Sequence, residues 1–134
     1  MRRVLLSIAI FLGLASVACA QADSADAMNN TVKIAYGQSV TVPGSDLTLI
    51  FEELDSDSRC PEGVQCIRAG DVSVKIRAIA AGQSCSTYTL KLPGREHAHY
   101  QGYDIELLEV SPKPTKAQPQ PPAENYSIVL SVKK

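Results

Sequence analysis

"DVSVKIRAIA", residues 71–80, is the stretch on which the reading of the fold turns. Val72, Val74, Ile76 and Ala78 fall on one side of an extended chain, Ser73, Lys75 and Arg77 on the other. A two-residue period marks a strand whose sheet is buried on one face and wet on the other. The pattern recurs in both directions. Upstream, "DLTLIFEEL" (46–54) sets Leu47, Leu49 and Phe51 on one face. Further back, "TVKIAY" (31–36) and "SVTV" (39–42) flank Gly37-Gln38, a pair suited to a tight turn. Downstream, "AAGQS" (80–84) reads as a hairpin connection into "STYTLKL" (86–92), with Tyr88, Leu90 and Leu92 inward. "YDIELLEV" (103–110) begins with Tyr103, Ile105 and Leu107 inward and then switches phase to Leu108 and Val110. That switch predicts a bulge, or a segment buried on both faces. "NYSIVLSV" (125–132) aligns Tyr126, Ile128, Leu130 and Val132.

These segments make about seven strands, with no amphipathic helix among them. Seven short strands in one small domain imply two packed antiparallel sheets or a flattened barrel. The expectation is an all-β, immunoglobulin-like antiparallel β-sandwich over residues 31–134. The Trp and paired core cysteines of a true immunoglobulin domain are absent, so the likeness is architectural. The chain has no Trp, and one of its two Phe falls within the first twenty residues. The core must therefore come from Val, Ile, Leu and Tyr. "SPKPTKAQPQPP" (111–122) cannot be strand, because proline donates nothing to a ladder. It reads as an extended, partly polyproline-like loop joining the last two strands.

Residues 1–20 have the pattern of a secretory signal peptide: a basic "MRR", an apolar run, and small residues at Ala18 and Ala20. Cleavage after Ala20 gives a periplasmic or secreted protein. The rival is a lipoprotein acylated at Cys19 of "SVAC" and held at the outer membrane; Ser16 stands where a lipobox usually carries an aliphatic residue. Residues 21–30, polar and aperiodic, read as a flexible tether. Loss of residues 1–20 removes Arg2 and Arg3 and no acid, taking the net charge from −1 to −3. Nucleic acid and anionic membrane surfaces need clustered positive charge, so neither is an expected partner. A lipid anchor at Cys19 is the one membrane attachment foreseen.

Three cysteines follow the signal segment: Cys60, Cys66 and Cys85. An oxidising compartment favours pairing, and an odd number leaves one thiol over. A structural zinc site prefers thiolates two residues apart, and a dithiol redox centre wants that spacing at a helix N-terminus. Cys60 and Cys66 have five residues between them and a strand after them. They bracket Pro61 and Gly63, which let a chain turn back. A Cys60–Cys66 disulfide is the expectation, worth about 2 kcal/mol for so short a loop, with Cys85 a buried or semi-buried free thiol. Pairings that use Cys85, such as Cys66–Cys85, compete with it.

"DSRCPEGVQCIRAG" (57–70) resembles the signature of a family of small exported bacterial β-proteins of uncharacterised function. That signature runs Asp-Ser-Arg-Cys-Pro, four variable residues, Cys, two residues, then Ala-Gly and a strand. It is matched here by Asp57, Ser58, Arg59, Cys60, Pro61, Cys66, Ala69 and Gly70. "GYDIELLEVSPKP" (102–114) is similar to the family's closing strand and Pro-rich loop, and the likeness spans about residues 36–132. It implies a β-rich exported protein and carries over no activity. The pattern often has Trp before Ala-Gly; Arg68 stands there, which weakens any role resting on an exposed aromatic.

"GREHAHYQG" (94–102) reads as a polar hairpin loop with solvated imidazoles. If the segment is instead extended, His97 and His99 share a face and can bind copper, nickel or zinc, with Glu96 or Asp104 as a third ligand. Asp55, Asp57 and Glu62 cluster near the cysteine loop, without the interleaving of a calcium-binding loop. There is no nucleophile triad and no cofactor fingerprint, and a Cys85–His97 pair lacks anything to orient the imidazole. The expected function is an exported, non-catalytic binding or interaction module of the periplasm or envelope, without a cofactor. Its partner is an envelope protein or a small ligand. The alternative is a metal-binding envelope protein using His97 and His99.

Overall fold

The computed structural model describes residues 29–134. The expected signal segment 1–20, with Cys19, and residues 21–28 of the expected tether lie outside the described residues. Eight strands form two four-stranded antiparallel sheets. One sheet contains β1 (Asn30–Ala35), β8 (Ser127–Lys133), β7 (Tyr103–Ser111) and β6 (His97–Tyr100), in that order. The other contains β2 (Ser39–Thr41), β3 (Thr48–Asp57), β4 (Val72–Ile79) and β5 (Ser86–Leu92). The expected antiparallel sandwich is thus the architecture. Its strand order is a meander: except for β1 beside β8, every hydrogen-bonded neighbour is also the next strand in sequence.

The alternating residues point where their period requires. Leu47, Leu49, Phe51, Val74, Ile76 and Ala78 of one sheet are wholly buried against Ile34, Ile105, Ile128, Leu130 and Val132 of the other. Each large aliphatic or aromatic side chain so buried contributes on the order of 1.5–3 kcal/mol. β7 carries the bulge that its change of phase requires. Its register against β8 shifts between Leu107 and Glu109, which returns Val110 to the core and leaves Leu108 exposed. β4 and β5 form the expected hairpin, with Ala78 opposite Ser86 at its closed end.

Three expectations need correction. The described residues contain eight strands where about seven were expected, because "HAHY" is strand β6 and not a loop. Ala98 and Tyr100 face the core, and the segment pairs with β7. Its apolar half is only two residues, too few for a period to stand out. Ordered chain begins before residue 31, since Asn30 opens β1 and donates through Nδ2 to the Pro43 carbonyl at 2.9 Å. Cys85 is free but exposed rather than buried or semi-buried, because it sits in the β4–β5 connection and not on the strand's inner face.

The turn at Gly37 does not close a hairpin. With φ +73°, Gly37 carries the chain from one sheet to the other. There its N–H donates to the Phe51 carbonyl, and the Tyr36 N–H to that of Tyr126, both at 2.9 Å. Tyr36 meets Phe51 edge to face with ring centroids 5.4 Å apart. The other four tyrosines tie the layers through their hydroxyls. Tyr100 accepts from the Ala80 N–H and donates to the Ser84 carbonyl, each at 2.9 Å. Tyr88 donates to the His99 carbonyl at 2.9 Å and Tyr103 to Asp46 at 3.0 Å. Tyr126 reaches Asp57 at 2.6 Å. A buried tyrosine must place its O–H on a partner, and here that requirement links one sheet to the other.

Candidate functional site

The signature residues gather at one end of the sandwich, where β3 ends, β4 begins and β7 runs into the Pro-rich loop. At its centre is Asp57. Its carboxylate accepts from Arg59 Nε at 2.9 Å and Nη2 at 2.8 Å, and from the Tyr126 hydroxyl. Arg59 reaches onward, Nη1 donating to the Val110 carbonyl at 2.7 Å and Nη2 to that of Pro112 at 2.8 Å. One guanidinium thereby ties the end of β3 to the end of β7. Only Arg offers a rigid fork that can grip a carboxylate and still serve two carbonyls.

The ionisation of the network follows from its geometry. Burial, the largest single influence on Asp57, pushes its carboxyl up. The hydrogen bonds from Arg59 and Tyr126 and the charge of Arg59 together outweigh it, holding the group below its ordinary value. Arg59 is held above its usual range, first by its hydrogen bond to Asp57. Burial, and then the bond to Asp57, push the Tyr126 phenol up to about 12. At neutral pH the triad is a carboxylate, a guanidinium and a neutral phenol. Its polar atoms are hydrogen-bonded to one another and to the Val110 and Pro112 carbonyls.

The rest of the signature is equally occupied. Ser58 and Asp71 pair through the Ser58 N–H to the Asp71 carbonyl at 2.7 Å and the Asp71 N–H to Ser58 Oγ at 3.1 Å. Gly70 passes so close that a Cβ there would lie 1.6 Å from the Ser58 carbonyl oxygen. Cys60 and Cys66 are joined by the expected disulfide, with Cα atoms 5.9 Å apart. The Glu62 N–H donates to the Pro114 carbonyl at 2.9 Å, and the Lys116 N–H to that of Glu62 at 3.1 Å. The disulfide loop and the Pro-rich loop are therefore one structure, fixed by backbone hydrogen bonds.

This base presents apolar side chains among polar ones. Val64, within the disulfide loop, is 42% exposed, and Ile67, just after Cys66 and beside exposed Arg68, is 103% exposed. Leu108, raised by the β7 bulge, is 45% exposed and lines a groove of about 440 Å³ with Arg59, Val72, Leu92 and Lys113. Sequence reasoning had found the signature but neither Tyr126 as its partner nor the exposed Ile67. Tyr126 lies 69 residues from Asp57 and reads simply as a core position. The apolar Val64 and Ile67 in a segment of mostly polar residues were the available signal.

The acids near the loop do not form a cation site. Asp57 is spent on Arg59, while Glu53 and Asp55 face Lys75 at 3.0 and 3.7 Å and Arg77 pairs with Glu52. His97 and His99 lie elsewhere, side by side on the outer face of β6. His97 shares no hydrogen bond with Cys85; it is turned onto Asp104. No protein-family model matches the chain, and no curated protein or solved structure matches it either.

Proposed function

We propose that this protein is an exported, non-catalytic interaction module of the periplasm or cell envelope, and that it binds through the disulfide loop. The supporting observation is the contrast within residues 57–71. The residues of the base are held by an ion pair, backbone hydrogen bonds and a disulfide, while Val64, Ile67 and Arg68 project into solvent. A loop fixed in advance spares the partner the ordering cost of about 0.5–1.5 kcal/mol for each immobilised side chain. An apolar anchor flanked by Arg has the composition of a binding hot spot. The partner this suits is an envelope protein with a small apolar pocket and an acidic rim.

The signal pattern at 1–20 supports export, with Gln21 as the mature N-terminus or, in the lipoprotein alternative, acylated Cys19. The N-terminal residue of the protein from its own host separates the two. The interaction reading is tested by photo-crosslinking in that host. A photoreactive residue replacing Val64 captures one discrete envelope partner, and adding Ile67→Asp removes the adduct while leaving the urea midpoint unchanged. A residue placed at Gln83, at the opposite end, captures nothing comparable. Equal capture from both ends, or an adduct indifferent to Ile67→Asp, refutes the assignment.

A further inference from the structure

A second feature, independent of the disulfide loop, lies on the outer face of the other sheet. β6 and β7 form a hairpin in which His97 stands opposite Glu106 and His99 opposite Asp104. All four side chains point away from the core, because Ala98, Tyr100, Ile105 and Leu107 take the inner positions. His97 and His99 are thus neighbours along one strand, and their cross-strand partners are both carboxylates. The two imidazoles converge: His97 Nδ1 and His99 Nδ1 each lie 3.4 Å from the same oxygen, Asp104 Oδ1. On its other side, His97 Nε2 is 3.9 Å from Glu106 Oε1.

We propose that His97, His99 and Asp104 form a surface site for a divalent transition-metal ion, with copper(II) held most tightly and zinc(II) less so. The distances carry the argument. Ligands about 2.0–2.1 Å from an ion are separated by roughly 3.4 Å along a tetrahedral edge, the geometry of zinc, and by about 2.9 Å between neighbours in the tetragonal geometry of copper(II). Two of the three edges of the His97–His99–Asp104 triangle already have the tetrahedral length. The observed spacing therefore fits zinc as it stands and needs a slight closing for copper. Among the described residues no three such groups enclose a metal position as they stand. Closure asks for rotation of two exposed imidazoles, 51% and 81% accessible in their side chains. The backbone need not move, since the register of β6 on β7 fixes all the ligand Cα atoms.

Two imidazoles and a carboxylate suit copper, nickel and zinc, and among these the intrinsic order of affinity puts copper first. Three protein ligands on an open sheet face leave a coordination position to water or to a ligand atom from a partner. Glu106 takes a supporting place, facing the distal nitrogen of His97, where a carboxylate orients the ring and raises its basicity. Lys133, opposite Asp104 in β8, is the neighbouring cation; it is exposed and can turn to solvent.

The test is titration of the full mature chain with copper(II) and, separately, zinc(II), in a Cys85→Ser background that removes the exposed thiol. The expected result is one equivalent of copper bound, with an electron paramagnetic resonance spectrum showing coupling to two imidazole nitrogens. His97→Gln and His99→Gln each weaken binding at least about tenfold and reduce the coupling to one nitrogen. These side chains are exposed, so the variants keep the parent's urea midpoint. Copper bound with equal affinity by the His97→Gln, His99→Gln double variant overturns the site, as does a spectrum showing one nitrogen in the parent. Sub-stoichiometric, non-saturating uptake overturns it equally.

Discussion

Tyr126→Phe isolates a single bond of the signature network. The ring stays in the core, where Tyr126 is 2% exposed, so packing is preserved. What is lost is the 2.6 Å hydrogen bond from its hydroxyl to Asp57 Oδ2. A hydrogen bond to a charged group contributes about 1.5–3 kcal/mol. Asp57 Oδ2 still accepts from Arg59 at 2.8 Å and is not orphaned, which places the expected loss at about 2 kcal/mol. With a urea slope near 2 kcal/mol/M, the midpoint falls by about 1 M at pH 7 with the slope unchanged. The same bond gives the loss a pH signature. The folded Asp57 carboxyl lies below its ordinary value of 3.8, so its stabilisation is present above that pH and drains away as pH falls through the folded value. Once Asp57 is protonated, the bond from Tyr126 is an ordinary neutral one worth about 1 kcal/mol. The gap between parent and variant therefore narrows in acid. A midpoint shift equal at pH 7 and in acid, or none at pH 7, would falsify the view that the signature is held by a charged network.

Four further outcomes follow from the same region. Arg59→Met removes the fork that joins β3 to β7 and leaves the Asp57 carboxylate, its side chain 7% exposed, without its cation; a loss of about 3 kcal/mol is expected by thermal unfolding. Gly70→Ala drives a methyl group into the Ser58 carbonyl, which is backbone and cannot step aside, so equilibrium unfolding falls by at least about 2 kcal/mol. Replacing Cys60 and Cys66 together by Ser costs about 2 kcal/mol in the chain-entropy model and raises amide exchange at Glu62 and Val64, the loop residues whose N–H groups are hydrogen-bonded. In alkali the phenol of Tyr126, held up to about 12, contributes stability that is complete below pH 10 and lost as pH rises through 12. Tyr126→Phe abolishes that alkaline component, as read from urea midpoints between pH 9 and 12.

Much of the fold is legible because a strand's two-residue period is local. Val72 to Ala78 and Ile128 to Val132 announce their inner faces without reference to any other segment. Even the β7 bulge is written in the step from Leu107 to Leu108. β6 is not legible, because four residues, two of them histidine, carry too little alternation; its pairing with β7 makes it a strand. Nor is the exposure of Cys85, which depends on where the β4–β5 hairpin closes. The Cys60–Cys66 pair could be favoured from Pro61 and Gly63, because a short loop limits what its ends can reach.

The sequence by itself determined which residues face inward, that the fold is all-β, and where a rigid cysteine loop would stand. The tertiary structure decided which strands share a sheet, since the turn at Gly37 could equally have closed a hairpin or crossed between layers. It also decided the partners of the signature. Arg59 reaches carbonyls 51 and 53 residues away, and Asp57 meets a phenol 69 residues away. It decided as well that His97 and His99 converge on Asp104. The physical reason is the same in each case. Alternation along a strand fixes the side to which a residue points, but its neighbours across the sheet are set by register. Register is chosen only when distant segments close on one another and bury their shared face.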